Sequence, residues 1–469
     1  MIKLSLTSSL FRQELDSDAR ELLATIAFFP QGINEENIDW LFPTISNQPD
    51  VLNKLYMLSL TYRSNGFVTM LAPLRDHFRP KNPKSSLLLD ATKERYFSRL
   101  SAQTHPDTYS IEESQWIISE DVNVEHLLDV FTSVDVNSKD VWDVCAIFME
   151  HLYFHKPRLT TLGPKIEALS DNHPSKPKCL DRLSVLFQSV GNQVERKRVL
   201  VHALKLWRDR RDDYHAAVTL GGLSDANRSM GLCKEGIQQA KEALEIFERL
   251  GNTWRQADGL LDLARSLFDD EQLDAAEEAA SRAMDLAEKE SRQCLVFSCH
   301  HMLGICMCRS KGNTEKAIHH FEEALRIASS LGDFKRLFEA HFAVVPPLFT
   351  EGRFDDAHAH LERAKSYAVN DAYNLARASQ SCARLWGAQG VFGEAKSEAL
   401  RALGIFEKLG ATNDAEEIRE LLGHIDRDAM DSDLAASNDS DNNGESPQKK
   451  KLLVMCVNSS YLDWVTESG

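Results

Sequence analysis

From about residue 171 the chain sets apolar positions at helical spacing, and the same pattern returns about every 40 residues. An alanine recurs at Ala203, Ala243, Ala283, Ala324, Ala364 and Ala402, at spacings of 40, 40, 41, 40 and 38. Its contexts, VHALKLW, KEALEIF, SRAMDLA, EEALRIA, ERAKSYA and LRALGIF, are each amphipathic at the helical period. Two turns earlier stand Ala276, Ala317, Ala357 and Ala395, with Gly236 in that slot of the second unit. A third small position, on the partner helix upstream of the recurrent alanine, holds Ser184, Ser224, Ala264, Gly304 and Ala383, with Val344 as the exception. Small residues at these spacings predict helix pairs packed closely, with turns at Gly231, Gly312, Gly352 and Gly390. Pro346-Pro347 falls inside one predicted helix, where each proline removes a backbone donor, so an irregularity is expected there.

This framework resembles the tetratricopeptide repeat over roughly residues 171–426. The period exceeds the roughly 34 residues usual for that repeat, which predicts a longer second helix ended by a left-handed glycine such as Gly251, Gly332 or Gly410. The resemblance implies an α-solenoid of about six units whose first helices line a concave protein- or peptide-binding face. Its groove-facing slots fall here on Arg228, Asp258, Arg265, His301, Arg309, His341, Arg377, Gln380 and Arg384. As a set these lean basic, and arginine forks bind carboxylates, so an acidic protein or peptide ligand is expected. The slots through which some members clamp the C-terminal carboxylate of chaperones hold Gly221 and Asp225, which disfavours that ligand.

Residues 1–83 read differently. A helical start over Ser8–Phe29 is followed by helical pieces at Asn34–Leu41 and Pro49–Leu58, then by Ser64-Asn65-Gly66, a hairpin turn between short apolar runs. Three helices and a hairpin make a winged-helix plan. The third helix, VLNKLYMLSL, carries Lys54 as its one base, so it is expected to pack on a neighbouring domain rather than on DNA. Residues 84–170 are helical without repeating, with Trp116, Trp142 and Phe148 as core anchors.

LDSDARELLATIAFFPQGINEENIDWLFP, LNKLYMLSLTYRSNGFVTMLAPLRDHFRP and the array behind them resemble the C-terminal part of fungal NB-ARC proteins, which are STAND-type signalling NTPases. That resemblance implies a sensor or regulatory half, partnered with an NB-ARC NTPase module in cis or in trans. The family's Met-His-Asp is replaced by Met70-Leu71-Ala72, and no Gly-x-x-x-x-Gly-Lys-Ser/Thr loop occurs, so neither nucleotide sensing nor an ATPase is expected.

A net charge of -17 repels phosphate backbones and anionic lipid, making nucleic acid an unfavoured partner. The alternative is a DNA-linked transcriptional regulator, with the winged helix on DNA and the array sensing an effector. The nine cysteines show no paired spacing, and no apolar run approaches a membrane span, so a cytoplasmic chain with reduced thiols is expected. Cys294, Cys299, Cys306 and Cys308 lie along four turns of one predicted helix and cannot converge on one metal ion. No catalytic motif occurs, so a non-enzyme without cofactors is expected. Residues 427–469 are polar and acidic up to the closing KLLVMCVNSSYLDWV and are expected to form a disordered tail, with Lys449-Lys450-Lys451 a weak localisation signal.

Overall fold

The structure is a computed structural model that describes residues 15–45, 47–81, 86–102, 111–310, 313–368 and 371–438. Gly312 and the expected features beyond residue 438 lie outside these. The described residues divide into two compact units, one from residues 15–152 and 160–175, the other from residues 153–159 and 176–438.

In the N-terminal unit α1 (Ser17–Phe28) begins at Asp16, whose side chain accepts from the amide of Ala19 at 2.7 Å. Strand β1 (Ile33–Asn34) and a single 3₁₀ turn precede α2 (Ile38–Leu41), so the start of the expected second helix is a strand. Helix α3 (Gln48–Met57) leads into β2 (Tyr62–Ser64) and β3 (Phe67–Thr69), a hairpin turned by Asn65 and Gly66 with φ of 51° and 80°. Both residues take the left-handed conformation that a tight type I′ hairpin turn requires. The sheet order is β1-β3-β2, antiparallel throughout, with Ile33 opposite Val68 and Tyr62 opposite Thr69. Then follow α4 (Ala72–Phe78), α5 (Leu87–Ala102), α6 (Ile111–Val134), α7 (Lys139–His155) and α8 (Gly163–Ala168). Trp116, Trp142 and Phe148 are buried, as their apolar bulk predicts.

A buried polar node ties this unit together. The Glu120 carboxylate of α6 accepts from Tyr96 Oη at 2.9 Å, Asn37 Nδ2 at 2.6 Å and Asn123 Nδ2 at 3.0 Å. Asn123 also donates to the carbonyl of Gly32 and accepts from the amide of Gln31. One turn of α6 therefore fixes the loop before β1, the segment before α2, and α5. Burial raises the Glu120 carboxyl above its ordinary range despite these donors.

The C-terminal unit is a solenoid of antiparallel helix pairs: α9 (Lys176–Ser189) with α10 (Gln193–Asp209), α11 (Asp213–Ser229) with α12 (Cys233–Arg249), and α13 (Thr253–Asp269) with α14 (Leu273–Lys289). Next come α15 (Gln293–Arg309) with α16 (Thr314–Leu331), then α17 (Phe334–Ala343) and α18 (Val345–Thr350) with α19 (Phe354–Tyr367), and α20 (Ala372–Ala388) with α21 (Phe392–Leu409). The long period has a different source from the one expected. In α11, α12 and α13 both helices of a unit run to 17 residues with short turns between, so the extra length is shared rather than confined to the second helix.

The small residues do the packing the pattern implies. All six recurrent alanines are buried to 1% exposure or less. At Gly304 an added Cβ would lie 2.6 Å from the Phe321 ring, which packs there against the helix backbone. Between α17 and α18 the helix is interrupted at Val344, because Pro346 and Pro347 have no N–H to continue the ladder. The last helix, α22 (Thr412–Asn438), passes the expected end of the array at 426. Residues 427–438, expected in a disordered tail, are helical: RDAMDSDLAASN contains neither Gly nor Pro to stop the helix.

Candidate ligand-binding groove

The first helices of consecutive pairs line one recess, a cavity of about 40 Å³. Arg228 comes from α11, Arg265 and Phe268 from α13, Phe297 and His301 from α15, and Glu339 from α17. Three of the nine sequence candidates, Arg228, Arg265 and His301, thus meet in one place.

Their charges are already answered. Arg228 is 6% exposed and donates from Nη2 to Asp225 Oδ1 at 2.6 Å and from Nη1 to Asp269 Oδ2 at 2.9 Å. Arg196 Nη1 lies 2.6 Å from the other oxygen of Asp225. Burial pushes the Asp225 carboxyl up, but Arg196 and Arg228 together outweigh it and hold it well below the usual carboxylate range. Arg265 pairs with Asp262 at 3.0 Å, while burial and the neighbouring Asp258 push Asp262 up. Asp258, the acidic candidate, pairs with Arg255 at 2.8 Å. The recess therefore carries Arg228 and Arg265 against Asp269 and Glu339, a balanced lining where the slot residues alone lean basic.

His301 is different. Its ring stacks with Phe297 at 6.1 Å between centroids, and its Nε2 is buried without a hydrogen-bond partner. Burial, then Arg265 and Arg377, lower its pKa to about 3, so the imidazole is neutral. Burial also raises the Glu339 carboxyl against the pull of Lys335 and Arg336.

The remaining candidates lie elsewhere. Arg309 sits 3.9 Å from Glu271 and over the Phe268 ring at 5.8 Å. His341 is buried, with its Nδ1 3.0 Å from that of His360 on α19. Arg377 is 3% exposed, donates to Asn374 Oδ1 at 3.1 Å and stacks over Phe342 at 4.7 Å. Gln380 donates to Glu417 of α22 at 2.9 Å, and Arg384 pairs with the same carboxylate. Among the cysteines Cys299 and Cys306 are core residues whose thiols burial pushes up to about 12, and no cluster of three metal-ligating side chains forms among the described residues. The groove-facing slots gave Asp258 but not Phe268, Phe297, Glu339, Asp262 or Asp269. Asp262 was within reach, because Asp225–Arg228, Asp258–Arg255 and Asp262–Arg265 all have the i,i+3 spacing of neighbours on one helix.

Residues 255–330 match the family described as tetratricopeptide repeat. No curated protein matches the chain. Among solved structures the chain is similar to a Rap protein complexed with Competence and Sporulation Factor, at 16% identity and a TM-score of 0.44, covering 72% of this chain and 99% of that one. It is similar to a signal transduction ATPase with numerous domains and a tetratricopeptide repeat sensor from Pyrococcus horikoshii, at 15% identity and 0.46, covering 95% and 67%. It is also similar to the APC/C Cut9–Hcn1 hetero-tetramer, at 15% and 0.42, covering 83% and 68%. Among the described residues no helix is long and apolar enough to cross a membrane.

Proposed function

We propose that the array is a protein-interaction module that takes a peptide segment of its partner in the groove formed by α11, α13, α15 and α17. One observation carries this reading: side chains from four successive first helices converge there, aromatic rings beside charged groups and an unpartnered imidazole nitrogen. Such a lining offers apolar contact together with a few fixed polar groups, the mixture that specific peptide recognition uses. The balanced charge favours a segment carrying both signs over a purely acidic one. The helix-strand-helix-helix-hairpin order of the N-terminal unit supports a winged helix, and with the array behind it a sensor or regulatory half of an NB-ARC-type signalling protein acting in the cytoplasm. The exposed side chains of its third helix include Met57 at 86%, and its single base gives DNA little to bind. The test is quantitative affinity capture with the full chain, comparing the parent with an Arg265→Ala, Glu339→Gln variant of unchanged helical content. A partner captured by the parent and lost about thirtyfold by the variant is expected, as two groove contacts of ~1 kcal/mol each would give; equal capture by both would overturn the groove reading.

A further inference from the structure

The solenoid meets itself. The turn after α9 in the first helix pair lies against α20 of the last, since a Cβ at Gly191 would sit 3.8 Å from the Tyr373 ring. Beside that contact, the segment Tyr153–Leu159 of the same unit reaches α17: Lys335 Nζ lies 3.6 Å from the centre of the Tyr153 ring. Gln188, Asp371 and Arg377 enclose the space between, about 60 Å³. Glu339 lines both this space and the groove recess, so the two are neighbours.

This junction is built unlike the joints from α12 onward. Neighbouring pairs share continuous apolar cores, one running from Ile237 to Leu385 and one from Ala376 to Ile425, and neither takes a residue from α9. Across the junction stand a cation over a ring, a ring edge against a glycine, and polar side chains around a small cavity. A solenoid also changes its curvature by small rotations spread over all its units, so such a junction can part without breaking any apolar core.

We propose that this junction is a seam which opens reversibly to admit a peptide segment into the groove. The proposal rests on the reading of the groove as a peptide site, and the seam itself can be tested without any ligand. Lys335 over Tyr153 acts as the latch: it is the contact whose loss shifts the balance between closed and parted forms.

The experiment places nitroxide labels, through an unnatural amino acid, at exposed Val194 and Lys408 of the full chain, one on each side of the seam. A second pair at Arg282 and Glu322, away from it, serves as control. Pulsed dipolar spectroscopy of the parent should show a dominant short Val194–Lys408 distance and a minor longer one. In Lys335→Met, which keeps the aliphatic stem and loses the charge, the ratio of long to short should rise roughly twofold to thirtyfold, the range one cation–π contact spans. Tyr153→Ala should do the same, and the double variant should shift the ratio by less than the two single effects combined, because both remove the Lys335–Tyr153 contact while Lys335 also lies over Phe154 at 5.9 Å. The control distance should hold. A single unchanged distance in parent and variants would overturn the seam, and so would equal broadening of both pairs, which means general loosening. Failure of affinity capture with the seam opening as expected would instead fault the groove reading.

Discussion

The two units of this protein are held together in opposite ways. In the array each joint repeats the last, an alanine or glycine admitting a neighbouring helix, so order is spread evenly along the chain. In the N-terminal unit the large rings of Phe28, Phe29, Tyr96 and Trp142 fill an aperiodic core, and one glutamate ties three segments far apart in sequence. Damage to a repeat joint should stay near that joint, whereas damage to the node should spread through its unit. Besides the proline break and the seam, the array departs from this rule at the charged network of Arg228, where a polar node has been set into the periodic frame.

The largest effect should come from that network. Arg228→Ala leaves Asp225 and Asp269 short of their partner in a buried place, and a loss of about 3–5 kcal/mol is expected, read by thermal melting with hydrogen exchange accelerating in 213–270. Because Asp225 is held low in the folded state, the parent's stability from this network is present at neutral pH and falls as pH drops below the ordinary aspartate range; the variant should lose part of that dependence. Next, Glu120→Ala strips the acceptor from Tyr96, Asn37 and Asn123 and should cost about 2–3 kcal/mol, with exchange rising in 20–60 as well as around 120. Acceleration confined to α6 would break the contrast drawn above.

Gly304→Ala should cost about 1–2 kcal/mol, since Phe321 is buried to 1% and has no room to yield, and its effect should remain within α15 and α16. The smallest change concerns Asp181, whose carboxyl accepts from Trp207 Nε1 at 2.7 Å and Thr219 Oγ1 at 2.9 Å, and which burial raises from 3.8 to about 6. A raised carboxyl binds its proton more tightly when folded, so its contribution is full below pH 3.8 and is lost as pH climbs through about 6. Asp181→Asn should flatten that part of the stability profile, measured by denaturant titration across this pH window.

The array was legible because its physics is local and repeated: a small residue is needed wherever two helices touch, so the need is written into every unit. The proline break was legible for the same reason. What escaped was whatever depends on distant partners. Glu120 and Asn123 carry no local mark of the loop and helices they hold. Of the nine groove candidates, His341, Gln380 and Arg384 occupy the expected slots yet are covered by α19 or α22, because the slot fixes a direction but not the length of array that later folds over it. The balance of charge in the groove also lay in pairs, and counting arginines alone concealed it.

The central claim is that partners are bound from inside the solenoid, and a photo-crosslinking residue tests it most directly. Placed at Ser298 on the groove lining, in the full chain, it should capture a discrete partner band that the same residue at Glu322 on the outer surface does not. Capture from Glu322 with none from Ser298 would place recognition on the outer face and contradict the account.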